Sequence, residues 1–136
     1  MFDITKSIEQ LENDYWPTVV KNPTVLTEKC YFFRKVPIQK LSLEQIRLLL
    51  TQNIGLQFLI PKAIDTLSSN ILAEAEFYPG DLLITVLNCD KIYWDKHKDI
   101  KNTLRNLIEE KRVEIESANE RNELRQILKA IDLFME

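Results

Sequence analysis

The sequence predicts an all-α fold, a single domain over residues 1–136 with about seven helices. Three observations lead to this prediction. Apolar residues recur three or four positions apart along most of the chain, which is the spacing of one helix face. Only two glycines and five prolines are present, too few for the many tight turns of an all-β domain. A hydrophobic fraction of 45% in 136 residues is enough to build one buried core.

The first predicted helix is short. Asp3 or Thr5 is expected to cap its N-terminus, because either side chain can accept a hydrogen bond from an unpaired backbone N–H. Tyr15 and Trp16, directly before Pro17, follow its end. They have two interpretations: exposed aromatic side chains of this kind often form binding hot spots, or they plug the open end of the helical core, which we favour.

The second helix is predicted between two prolines. Pro23 suits a first helical turn, where its missing N–H would be unpaired anyway, and Pro37 ends the helix. Arg34 and Lys35 precede this end, where positive charge complements the helix dipole. No ligand is needed to explain this basic pair.

Residues 41–90 are the most aliphatic part of the chain and contain both glycines. Ser42 and Gln45 have the spacing of a capping box, which predicts the start of a third helix. Gly55 permits a break before a fourth helix that packs back on the third. Four apolar side chains of this region are expected in the core: Leu49, Leu59, Ile64 and Leu83.

The segment after Gly55 leaves two questions open. Pro61 either kinks the fourth helix or lies in the first turn of a helix that starts late. Residues 72–77 are predicted as a loop. Residues 82–87 are interpreted as a helix rather than a short buried strand, because no second strand is evident to pair with them. Asp81 is expected to cap that helix.

Two long helices are predicted after Trp94. The first has an apolar stripe, and the second begins at a capping box formed by residues 117–120. The two helices are expected to pair as a C-terminal antiparallel hairpin. The stripe of the first helix comprises Ile100, Leu104, Leu107, Ile108 and Ile115.

Several of these segments carry a family resemblance. The residue order at 43–50, 52–56, 59–61, 72–74 and 77–83 resembles that of immunity proteins from contact-dependent growth inhibition systems. The most specific part is the Phe-Tyr-Pro-Gly-Asp-Leu-Leu string at 77–83, and the resemblance covers roughly residues 25–95. It implies a small cytoplasmic bacterial protein without enzymatic activity. Such a protein binds and neutralises the toxic C-terminal domain of a large secreted exoprotein. A general helical adaptor without a toxin partner is the alternative.

The charge distribution indicates where such a partner would bind. Residues 65–95 contain six acidic residues against Lys91 alone, a net charge of −5, whereas the whole chain carries −3. This acidity either only keeps a solvated surface soluble or faces a basic partner such as a nuclease, which must grip phosphate. We therefore expect Glu74, Glu76 and Asp81, or a subset of them, at the toxin interface, with Tyr15 and Trp16 as the second candidate region.

Signals for catalysis and for other partners are weak. Cys30 and His97 are formally a nucleophile and a base, but no motif supports them. Cys30 and Cys89 are interpreted as reduced, buried thiols. No catalytic residue, metal site or cofactor is predicted. The balanced charge of the C-terminal helices argues against nucleic acid, and no membrane span or signal peptide is recognised.

Overall fold

The computed structural model describes residues 2–16, 24–118 and 121–136, and over these ranges the fold is all-α. It comprises nine α-helices and a short 3-10 helix at Ile38–Lys40, with no β-sheet in the described part of the chain. The prediction of an all-α fold is confirmed, and the predicted number of helices was too low. The α-helices are α1 (Ile8–Glu12), α2 (Val25–Phe33), α3 (Leu43–Thr51), α4 (Leu56–Ser69), α5 (Asp81–Leu87), α6 (Lys91–Lys96), α7 (Lys98–Glu110), α8 (Arg112–Glu116) and α9 (Arg121–Met135).

Helix α5 lies at the centre of the fold. It packs against α3, α4 and α9, and every one of its side chains except Ile84 is buried. The interpretation of residues 82–87 as a helix is therefore confirmed. The predicted core is also confirmed, because all four side chains are buried: Leu49, Leu59, Ile64 and Leu83.

Helices α3 and α4 form an antiparallel pair beside α5, joined by a tight turn. The Ser42 hydroxyl accepts from the Gln45 N–H at 3.2 Å, and the Ser42 N–H donates to the Gln45 side chain at 3.0 Å, which confirms the capping box. Gly55 has a φ of +64° and stands directly before α4. A Cβ there would lie 2.7 Å from the Ile8 side chain, so the turn needs glycine. Helix α4 already begins at Leu56 and contains Pro61 in its interior, so the alternative of a late start with Pro61 in the first turn is wrong.

The N-terminal cap differs from the prediction. Helix α1 is capped by Ser7, which forms a complete capping box with Gln10. Asp3 and Thr5 lie before this cap, and the Asp3 carboxylate accepts from the Thr5 N–H at 2.9 Å instead. The helix ends at Glu12, and the following residue, Asn13, adopts the left-handed conformation at the C-cap.

Helix α2 is shorter than predicted. Thr24 caps it, with its hydroxyl accepting from the Thr27 N–H at 3.0 Å. The helix ends at Phe33, four residues before Pro37, which forms an isolated antiparallel bridge with Ser7. Pro23 lies outside the described residues. Helix α2 therefore packs at the edge of the fold, chiefly against α3.

The C-terminal region is divided more finely than the sequence indicated. A turn at Lys111 separates α7 from α8, although the apolar stripe runs through both helices. The predicted capping box at 117–120 includes two residues outside the described ranges. Ser117 itself ends α8, where its hydroxyl donates to the Val113 carbonyl at 2.7 Å.

Helix α9 packs chiefly against α5. It also touches the start of α7, where the Lys101 ammonium lies 5.3 Å from the centre of the Phe134 ring. This contact joins the beginning of α7 to the end of α9. The C-terminal hairpin as a unit remains a prediction.

Candidate protein-interaction site

The loop at residues 71–80, between α4 and α5, is shaped by one buried carboxylate. Asp81 is only 2% exposed. Its two oxygens accept three backbone N–H groups from the loop, those of Ala75 at 2.7 Å, Glu76 at 2.9 Å and Phe77 at 2.8 Å. Several N–H donors directed at a carboxylate form strong, charge-assisted bonds. The loop backbone is therefore held by hydrogen bonds that do not involve the side chains of Glu76 and Phe77.

This arrangement corrects the predicted role of Asp81. Gly80, with a φ of +96°, occupies the cap position, and Asp81 is the first residue of α5. The carboxylate holds the preceding loop instead of capping the helix, although its charge still suits the N-terminal end. A Cβ on Gly80 would lie 2.6 Å from Ile127 of α9, so the end of the loop is packed tightly as well.

Arg47 of α3 holds the outer side of the loop. Its Nη1 lies 3.4 Å from Glu76 Oε2, and its Nε lies 3.7 Å from Asp81 Oδ2. The guanidinium also lies 4.7 Å from the centre of the Phe77 ring, a cation–π geometry. One cation thus lies close to two carboxylates and against an aromatic ring.

The three acidic residues predicted for the interface have different surroundings. Glu74 is exposed and forms no ion pair with any described residue. Glu76 is exposed as well but pairs with Arg47. Asp81 is buried and can act only by positioning the loop. Phe77, which the sequence analysis did not single out, is 64% exposed beside them. The other acidic residues of 65–95 lie on different elements: Asp65 on α4, and Asp90 and Asp95 at α6.

Tyr15 and Trp16, the second candidate region, have different environments. Trp16 lies over the Arg34 guanidinium, 3.9 Å from the ring centre, and packs beside Tyr31 at 4.9 Å. It covers a buried cation rather than the apolar core. Tyr15 is 61% exposed and plugs nothing. The favoured interpretation of this pair as a plug is therefore wrong for Tyr15.

Arg34 does more than complement a helix dipole. It is 1% exposed, and its Nη2 donates to Glu12 Oε1 at 2.6 Å. Asp14 lies 3.9 Å away, and Lys35 pairs with Glu9 at 2.6 Å. Within the described part of the chain, Nε and Nη1 of Arg34 have no hydrogen-bond partner. Glu9 and Glu12 are therefore already paired with cations of the same region, Lys35 and Arg34.

Cys30 and His97, the formal nucleophile and base, lie in surroundings typical of structural residues. Cys30 is buried, and desolvation raises the pKa of its thiol. Burial, with a contribution from the charge of Asp90, raises the pKa of the Cys89 thiol to about 12. Since the thiolate is the nucleophile, both shifts oppose reactivity. His97 stacks on Tyr93 at 4.1 Å and places Nδ1 2.8 Å from the Tyr93 carbonyl oxygen. No cluster of three or more His, Cys, Asp or Glu suited to a metal ion occurs among the described residues.

Exposed aromatic side chains on an ordered loop are typical of a protein-binding surface, and the fold around the loop is wholly helical where it is described. The chain belongs to the CDI immunity proteins, the family of contact-dependent growth inhibition systems, whose family model matches residues 10–104. The match includes the residues 25–95 that carried the resemblance. No curated protein and no solved structure shows a significant match to the chain. None of the described helices is long and apolar enough to cross a membrane.

Proposed function

We propose that this protein is a non-catalytic immunity partner that binds the C-terminal toxin domain of a large secreted exoprotein and neutralises it. The supporting observation is the family match over residues 10–104. Binding is stoichiometric and requires no cofactor or metal ion. The family resemblance implies a cytoplasmic location, and neither nucleic acid nor membrane is part of the proposal.

We further propose that the toxin is a nuclease and that the loop at 71–80 covers its active site or substrate groove. A nuclease is basic where it holds phosphate. Glu74 presents an unpaired carboxylate on the loop surface, and Glu76 lies close by with Arg47 beside it. Acidic groups in this position would attract the basic groove and accelerate the encounter.

Asp81 has a positioning role in this proposal. Its three hydrogen bonds fix the loop before the partner arrives. Binding then loses less conformational entropy than it would with a mobile loop. The contacts themselves are assigned to Glu74 and Glu76, with Asp81 behind them.

The test is the binding kinetics of the cognate toxin domain, which we expect to be encoded directly upstream, measured at low and moderate salt. The double variant Glu74→Lys with Glu76→Lys should show a markedly slower on-rate. The wild-type on-rate should fall with added salt, because salt screens exposed charges. The matched control is Asp65→Lys with Asp95→Lys, which changes the net charge equally at exposed sites on α4 and α6. This control should keep a faster on-rate than the loop variant.

Two outcomes would contradict the proposal at different levels. If the folded loop variant and its control slow association equally, the loop has no special part in the encounter. If the wild-type protein neither binds the toxin domain nor protects cells that express it, the immunity function itself is wrong. The chain would then be better described as a helical adaptor with another partner.

A further inference from the structure

We infer that the toxin domain docks on a surface that runs from Phe77 on the loop to Phe32 on α2, across the groove between α2 and α3. We call this surface the aromatic face. The inference rests on the proposed function and deepens it, since it assigns an apolar half to an interface so far described only by its acidic residues.

Two exposed phenylalanines mark the ends of the aromatic face. Phe77 is 64% exposed and Phe32 is 61% exposed, far more than folding alone requires of such large apolar side chains. Val25, 70% exposed, lies seven residues before Phe32 and therefore on the same side of α2. Because α2 packs chiefly against α3, this side of the helix is left uncovered among the described residues.

A groove connects these two ends. Lys29 and Phe33 of α2, Leu48 of α3 and Glu76 of the loop line it together. The rings of Phe32 and Phe33 are 5.9 Å apart, which joins the exposed side of α2 to the groove. At the other end, Glu76 and Phe77 are joined through Arg47. The two phenylalanines are therefore connected by a groove with both apolar and charged walls, and the Glu76–Arg47 ion pair forms its link to the loop.

The charges that line the groove indicate which kind of partner it can bind. Glu44 and Glu76 line it together with Lys29, and Phe33 and Leu48 supply apolar walls. Arg47 pairs with Glu76, so Glu44 is the lining carboxylate without an ion pair among the described residues. Such a groove suits the lysine and arginine side chains of a basic partner, whose aliphatic stems pack on apolar walls while the charged ends reach carboxylates. A second copy of this chain would bring its own unpaired carboxylates, those of Glu44 and Glu74, to the contact, which like-charge repulsion opposes.

Phe77 is the expected anchor of the aromatic face. The Asp81 carboxylate fixes its backbone N–H, and the Arg47 guanidinium lies against its ring. An exposed aromatic ring that is already fixed loses little entropy when a partner buries it. Aromatic side chains of this kind carry much of the free energy of binding at protein interfaces.

The test compares Phe77→Ala and Phe32→Ala in the full-length protein with the same upstream toxin domain. Each substitution should raise the off-rate about tenfold or more, with a small change in on-rate and a weak dependence on salt. The matched control is Leu133→Ala on α9, whose side chain is 60% exposed, and its off-rate should equal that of the wild type. All three positions are exposed, and circular dichroism would verify that each variant is folded.

The outcomes distinguish a failure of this inference from a failure of the proposed immunity function. Wild-type binding combined with unchanged off-rates for both phenylalanine variants would overturn the aromatic face and leave the immunity function intact. Failure of the wild type to bind would instead count against the function. Light scattering on the free protein completes the test. A wild-type dimer that either variant converts to a monomer would assign the face to a second copy and overturn the inference.

Discussion

The loop at 71–80 and the N-terminal corner, defined as residues 9–16 with Arg34 and Lys35, each surround a buried charge, but they neutralise it differently. At the loop, three backbone N–H groups bind the Asp81 carboxylate. At the corner, Arg34 is neutralised mainly by one side chain, that of Glu12, and is covered by Trp16.

The difference decides which region has charge to offer a partner. The corner uses the carboxylates of Glu9 and Glu12 for its own ion pairs with Lys35 and Arg34. The loop satisfies its buried charge with backbone groups, so the Glu74 side chain remains unpaired within the described structure. Backbone hydrogen bonding thus leaves side chains available for recognition, whereas side-chain pairing occupies them.

The largest effect is expected at Asp81. Replacing it with alanine removes the acceptor of three N–H groups and leaves Arg47 without its buried partner, so Asp81→Ala should lower the free energy of unfolding by about 3–5 kcal/mol. Asp81→Asn keeps one acceptor oxygen and should lose less. Urea denaturation provides the measurement. If Asp81→Ala lowers the free energy of unfolding by less than Arg34→Met does, the loop is not the region that depends more on its buried charge.

A smaller effect is expected at Arg34. The Arg34→Met variant keeps most of the buried volume under Trp16 and removes two N–H groups that have no described partner. The Glu12 side chain is 37% exposed and can be hydrated again, so the expected cost is about 1–2 kcal/mol. Arg34→Ala should cost more, because it also leaves a cavity. Equal costs for the two variants would mean that packing contributes nothing at this site.

The charge at the loop should also be visible in a titration. Burial, and next the negative charge of Asp81, raise the pKa of Tyr78 above its usual value. The folded state therefore favours the neutral phenol, and stability is lost as the pH rises from the usual tyrosine pKa through the raised one. Asp81→Asn should lower the pKa of Tyr78 and reduce this loss, whereas Arg34→Met should leave it unchanged.

The Tyr78 signal can be isolated by ultraviolet titration, as the difference between each protein and its Tyr78→Phe counterpart. Tyr93 provides an internal reference, because burial raises its pKa to about 12. An unaltered pKa of Tyr78 in the folded Asp81→Asn variant would show that Arg47 fully screens the carboxylate.

The smallest effect is expected at Tyr15. Its exposed side chain should be dispensable, so Tyr15→Ala should change the free energy of unfolding by less than about 0.5 kcal/mol. The rates of toxin binding should match those of the wild type in a surface-based kinetic assay. A markedly faster off-rate for this variant would move the interface from the loop to the N-terminal corner.

Local signals predicted most of the helices. The capping box of Ser42 and Gln45 was recognised, and the same S-x-x-Q pattern at Ser7 and Gln10 would have located the start of α1. The turn at Lys111 has no comparable signal, because apolar spacing continues from Ile108 to Ile115 across it. Periodicity reports which side of a helix is buried, but it does not report whether the helix is continuous.

The candidate site was only partly predictable for a different reason. The acidity of Glu74 and Glu76 can be read from composition. The role of Asp81 depends on a loop that folds back over it, and the ion pair of Arg34 joins residues 22 positions apart. Such contacts arise from tertiary packing, and neither helical spacing nor cap preference encodes them.

The residues that set the loop conformation differ from those that the loop exposes, and this has an evolutionary consequence. Gly80 and Asp81 set its conformation through backbone geometry and backbone hydrogen bonds, while the exposed side chains of Glu74 and Phe77 project from it. Substitutions at the projecting positions can therefore accumulate at little cost to folding. When the toxin changes, the immunity protein can change its specificity at these positions and keep the same loop conformation.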